Sequence, residues 1–228
     1  MEPSQFRAKT AAKLHLHRLW KRSQAGSATD PIQFIRDAPA QVAVGLLGFQ
    51  VVTPPFFPGQ DGVAGFIDRG SKTIGVISKG SLGAHRFTLA HEIGHVVLHS
   101  GESYFRDRSI SEPGSGCGRP SYEIEADAFA AELLMPRKLL RNVFNRYFGN
   151  FIETGEPDVE LAYAVSTSEK QWGAFDFSEA KPIEQAKAIG RARNFKSVRF
   201  SSLVDLFQVS PMAMAIQLLE TGCVRPRI

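Results

Sequence analysis

His91-Glu92-Ile93-Gly94-His95 brings two imidazoles and a carboxylate within five residues. On a helix, the four-residue spacing returns the histidines to nearly one face, about 40° round and ~6 Å along the axis. Two imidazoles so placed can bind one Zn²⁺ and leave positions for a third ligand and a water. Glu92 stands about 100° from His91 on the wheel, where it can hydrogen-bond that water and take its proton. A five-residue pattern arises by chance, and a histidine among apolar residues is more often a core group, so the flanks decide. Phe87, Leu89, Ala90, Ile93, Val96, Val97 and Leu98 cover most of the wheel, and the helix is expected to be buried. Three ionisable side chains inside it are costly unless a cation compensates them.

A third ligand is expected from a second helix, Tyr122 to Met135, which carries Glu123, Glu125, Asp127 and Glu132. Glu123 and Asp127 are four apart and share a face. One can ligate while the other orients a ligand histidine through its second ring nitrogen. Glu125 points about 200° away from Glu123, and both it and Glu132 read as solvent-facing. His99 is a rival third ligand, although it would have to reach awkwardly down the same helix face. The metzincin pattern wants a histidine where Gly101 stands. Tyr122, Tyr104 and His99 are the candidate donors to a developing oxyanion.

The remaining elements must position these groups. Residues 5 to 22 read as a basic amphipathic helix with Leu14, Leu19 and Trp20 as its buried points, and Gln24 to Thr29 as a linker. Asp30-Pro31 reads as an N-cap followed by proline at the first helical position. That helix runs to about Leu47, interrupted near Pro39 and ended by Gly48. Phe49 to Thr53, Val63 to Asp68 and Thr73 to Ser78 are strand candidates, the last two joined by a hairpin at Arg69-Gly70-Ser71-Lys72. A small antiparallel sheet is inferred, with an edge able to pair with a substrate backbone. Gly101 to Ser121 reads as loop, and Cys117 within it as an incidental thiol. Arg137 to Phe148 and Ile183 to Phe195 read as helices, while 149 to 182 carries no assignment. Ser201 to Phe207 and Ser210 to Thr221 resemble a helix–turn–helix pair ended by Gly222. Its Met214, Ile216, Leu218 and Leu219 suit helix packing better than a DNA groove.

The 228 residues suffice for a sizeable core, and no apolar run is long enough to span a membrane. The N-terminus has no apolar h-region, which disfavours a secretory signal. Two cysteines far apart, Cys117 and Cys223, fit free thiols in a cytoplasmic protein. The net charge of +4 is unevenly spread. Arg7, Lys9, Lys13, Arg18, Lys21 and Arg22 cluster at the N-terminus, and Lys187, Arg191, Arg193, Lys196 and Arg199 near the C-terminus. Either cluster could make weak nucleic-acid contacts, but a solvated helix face is the simpler reading.

Arg86 to His95 and Tyr122 to Pro136 resemble the two signatures of the ImmA/IrrE-family metallopeptidases. The Gly65-Phe66-Ile67-Asp68 strand and the Val204 to Val224 segment are also similar to that family. The likeness covers roughly residues 30 to 148 and 200 to 224. It implies metal ligands at His91, His95 and Glu123, with Glu92 as the catalytic glutamate and Asp127 where the family has Asn or Asp. It implies an α+β fold: a mostly helical zincin-like core, a small three-stranded antiparallel sheet and a C-terminal helical region. The expected division is 1–29 (basic helix and linker), 30–148 (metallopeptidase domain) and 149–228 (C-terminal helices). Members of the family cleave helix-turn-helix repressors and so switch on stress or mobile-element genes, which implies that class of protein substrate here. Zn²⁺ is the expected ion, and Mn²⁺ suits the same donors. The competing reading is a regulatory or toxin–antitoxin-type partner of a DNA-binding protein that does not cut and whose metal is structural. An intact Glu92 weighs against it, since a structural site needs no general base.

Overall fold

The computed structural model describes residues 2–23, 30–53, 63–77, 80–99, 104–108, 119–154, 161, 164 and 180–226. The chain forms two compact units, Met1–Leu134 and Met135–Ile228.

In the first unit, α1 spans Pro3–Ser23. Its buried side is Ala8, Ala12, His15, Leu16 and Leu19, whereas Leu14 is exposed, contrary to the sequence reading. The two alanines are fully buried and allow close packing on α4 (Ser121–Leu134). Trp20 contributes an edge-on contact with Phe34. Asp30 caps α2 (Pro31–Ala40), accepting from the backbone of Ile32 and Gln33, with Pro31 opening the helix. After Pro39 the chain widens into a π-helical turn, Gln41–Leu46. The fold class is as expected, with two differences in the sheet. Strands β1 (Gln50–Val52), β2 (Val63–Asp68), β3 (Thr73–Val76) and β4 (Tyr104–Arg108) lie in the order β1-β3-β2-β4. The β2–β3 hairpin is antiparallel, with Lys72 at φ 50° in its turn. β1 runs parallel to β3 instead of antiparallel. β4, in a stretch read as loop, adds antiparallel to β2 and makes a fourth strand. Its Phe-Arg-Asp-Arg core lacks the apolar alternation that marks a strand.

Helix α3 spans Leu82–Leu98, with Ser81 capping its start. It packs on β2, β3 and α4. Arg69, in the hairpin turn, donates to the carbonyls of His95 (2.9 Å), Val96 (3.4 Å) and His99, at the end of the helix. A guanidinium there gives the carbonyls of the last turn a further donor, beside the His99 N–H that His95 already accepts, and opposes the helix dipole. Arg86 donates to the Ile35 and Arg36 carbonyls of α2 and anchors the other end.

In the second unit, α5 (Arg137–Phe148), α6 (Pro182–Arg191), α7 (Leu203–Phe207) and α8 (Pro211–Thr221) surround Leu140, Phe144, Ile189, Phe207, Met214 and Leu218. β5 (Ile152–Glu153) pairs parallel with β8 (Val224–Arg225). The helix expected to reach Phe195 stops at Arg191, because Ala192 turns extended and Asn194–Phe195 (β6) pairs with Val198–Arg199 (β7). Ser202 and Ser210 cap α7 and α8, and Gly222 ends the pair at φ 72°. Met214 and Leu218 are buried as expected, but Ile216 is exposed. Within the basic cluster, Lys187 pairs with Glu184 and Arg193 with Asp205. Cys223 is buried, and burial pushes its thiol pKa up. Cys117 lies outside the described residues. Among the described residues, no helix is long and apolar enough to cross a membrane.

Candidate metal centre

The separation of α3 and α4 is set at Gly94. A Cβ there would stand 3.1 Å from Ala126 Cα and 3.2 Å from its carbonyl oxygen, so any larger residue would push α4 back by a few tenths of an ångström. Glu123, on the first turn of α4, is thereby brought against the histidine pair of α3. His91 and His95 are buried, and Glu123 is 12% exposed. The Nε2 atoms of His91 and His95 face each other at 2.9 Å. Glu123 Oε2 is 3.2 Å from His91 Nε2, and Oε1 is 3.6 Å from His95 Nε2. Ligand atoms of all three lie within 4.8 Å of one another.

The donor set fits a metal ion. Two imidazole nitrogens and a carboxylate are a tetrahedral Zn²⁺ set with one position open. The observed separations bracket the roughly 3.4 Å expected between ligands around one such ion. Two ring nitrogens 2.9 Å apart beside a carboxylate also call for a cation, either a proton or a metal.

Asp127 Oδ1 lies 2.9 Å from His91 Nδ1. The carboxylate can only accept, so His91 donates from Nδ1 and turns the lone pair of Nε2 toward Glu123 and His95. Arg119 in turn donates to Asp127 and stands 3.7 Å from Glu123. Glu92 is fully buried. Its carboxylate lies over β2 at Gly65, where an added Cβ would be 2.3 Å from Oε1. Gly65 therefore makes room for Glu92. A glycine inside a strand signals such close approach, yet in the sequence it was only part of a strand motif. The sequence likewise marks Arg69 only as a turn residue.

Three readings of the sequence change here. Glu125 and Glu132 are buried, not solvent-facing: they are 7% and 3% exposed. Arg7 of α1 donates to Glu125 at 2.7 Å, and Lys13 of α1 stands 3.9 Å from Glu132. Basic α1 thus supplies the charges that let α4 bury two acids. His99 does not complete the ligand cluster. Its Nδ1 meets His95 Nδ1 at 3.0 Å and its Nε2 meets Glu125 Oε2 at 3.2 Å, so both ring nitrogens are engaged. Burial lowers the His99 pKa below its ordinary value, against the pull of the Glu125 hydrogen bond. Burial alone would raise the Glu125 pKa, but hydrogen bonds from Arg7 and His99 outweigh it and hold the carboxyl below its usual range. Tyr122 is 43% exposed, with its ring 6.0 Å from that of His95. The backbone of Tyr104 lies in β4, and its side chain falls outside the described residues.

A buried two-histidine, one-carboxylate cluster on paired helices beside a small mixed sheet is a metallopeptidase-type centre. The chain belongs to the peptidase M78 family: the model of its IrrE N-terminal-like domain matches residues 46–171, more than half of the sequence. No curated protein matches the chain.

Proposed function

We propose that the protein is a zinc-dependent endopeptidase whose ligands are His91, His95 and Glu123. The convergence of these three side chains from two helices carries the reading. Zn²⁺ held there would supply a Lewis acid for the scissile carbonyl and acidify a water toward neutral pH. Glu92 takes the proton of the attacking water and returns it to the leaving amine. Its full burial against β2 holds the carboxylate away from bulk water. Asp127 holds the His91 ring and its tautomer. Tyr122, exposed beside His95, is the donor best placed for the developing oxyanion, since both nitrogens of His99 are committed elsewhere. Mn²⁺ suits the same donors.

Peptidase family membership implies a protein substrate. The resemblance to ImmA/IrrE proteins favours a helix-turn-helix repressor, with cleavage regulating stress-response or mobile-element genes in the cytoplasm. Incubating the zinc-loaded protein with a repressor encoded beside it tests this. Cleavage is expected, and it should stop with a chelator and with Glu92→Gln. Loss of the general base should cost about 10²- to 10⁴-fold while bound zinc stays at one equivalent. A Glu92→Gln protein that cuts normally would remove Glu92 from the mechanism. Tight zinc binding without cleavage of any repressor would return the non-cutting regulatory reading.

A further inference from the structure

We propose that Glu125 is a positioning residue for the metal centre: acting through His99, it fixes His95 in the tautomer that points a lone pair at the metal position. The inference rests on His95 being a ligand, as argued above. Arg7 Nη2, Glu125 Oε2, His99 and His95 form one chain with links of 2.7, 3.2 and 3.0 Å. With both imidazoles neutral, proton bookkeeping along it has one solution. Arg7 can only donate, and the Glu125 carboxylate only accepts. His99 must therefore carry its proton on Nε2, which leaves Nδ1 as an acceptor. His95 Nδ1, facing that acceptor, must be the donor. The remaining nitrogen of His95, Nε2, then carries a lone pair, aimed at His91 Nε2 and Glu123. Asp127 sets His91 by a single direct bond, whereas Glu125 sets His95 through an intervening imidazole.

Arg7, at the start of the chain's first helix, lies outside the matched residues 46–171. The N-terminal helix of this protein therefore takes part in its metal site, and Glu125 needs it: the carboxylate is 9% exposed and accepts from Arg7 and His99 together. The Arg7 side chain is 64% exposed, so its share of the effect is smaller than that of the two buried members.

The test is zinc affinity by chelator competition, with imidazole ¹⁵N spectra of apo and loaded protein to read the His95 tautomer. Glu125→Leu and His99→Phe should each weaken zinc binding about 10- to 100-fold, the usual cost of losing a group that orients a ligand. Both should also remove the preference for a proton on His95 Nδ1. Glu125→Gln keeps an oxygen acceptor and should recover part of the affinity. Arg7→Met, an exposed change that leaves the core intact, should cost at most about fivefold. Circular dichroism of the apo proteins separates these effects from misfolding, and if Glu125→Leu does not fold, His99→Phe and Arg7→Met carry the test. Wild-type affinity and tautomer in the folded variants would overturn the inference. A wild-type protein that binds no zinc would instead overturn the metal centre itself.

Discussion

The two units bury different kinds of polar residue. Among the described residues, the buried polar side chains of Met1–Leu134 are His15, His91, Glu92, His95, Glu125 and Glu132, every one an imidazole or a carboxylate. Those of Met135–Ile228 are Thr154, Gln185, Ser202, Gln217 and Thr221, every one neutral. A neutral group is accommodated by one or two hydrogen bonds, and in the second unit these run to backbone groups. Ser202 caps α7, Thr221 bonds back along α8, and Gln217 donates to the Met135 carbonyl. Burying a charge costs several times more and needs opposite charge or a metal. A fold that pays this repeatedly around one pair of helices is organised for chemistry there, while the described part of the second unit buries only neutral polar groups.

The contrast is broken most directly at Gly65. A Cβ there collides with the end of the Glu92 side chain and not with backbone, so Gly65→Ala should fold normally and push the carboxylate aside. A displacement of about 1 Å at a catalytic group costs on the order of 10²-fold. Peptide cleavage should fall by that much, with zinc affinity and melting temperature nearly unchanged. Equal cleavage in wild type and Gly65→Ala would mean that Glu92 need not sit over β2. The next effect is on stability. Zinc at 100 times its dissociation constant should stabilise the folded protein by about 2.7 kcal/mol. Hydrogen exchange should show slowed amides in α3 and α4, with α6 and α8 little affected. Uniform protection across both units would erase the distinction.

The parts of this arrangement legible in the sequence were the local ones. His91, Glu92 and His95 are set by helical spacing, and the cap at Asp30 by residue type. A second-helix carboxylate as third ligand followed from the need to complete a two-histidine site. What stayed hidden was pairing between distant segments. Glu125 and Glu132 read as exposed because a carboxylate considered alone belongs in water. Arg7 and Lys13 read as part of a solvated face for the same reason. The reading of the acids changes once α1 lies along α4, where Arg7 and Lys13, themselves 64% and 59% exposed, answer their charges. β4 was missed because its register comes from β2 and not from its own alternation. The parallel β1–β3 pairing was likewise invisible, since strand direction is fixed by the route of the connection and not by the strand's composition.

The smallest expected effect tests the neutral side of the comparison. Gln217 is 2% exposed, and its Nε2 donates to the Met135 carbonyl at 3.0 Å. Gln217→Leu nearly preserves volume but leaves that buried carbonyl without this donor. The cost should be about 1–3 kcal/mol, or a drop in melting temperature of roughly 4–8 °C per kcal/mol for a unit of this size. Zinc affinity and cleavage by the folded protein should not change, because no ionisable group near the metal position depends on this bond. Glu125→Leu should show the opposite pattern, with a large loss of metal affinity beside whatever stability it costs. If Gln217→Leu also weakened zinc binding, the second unit would have a part in the site, and sorting the molecule by the charge of its buried groups would no longer separate chemistry from packing.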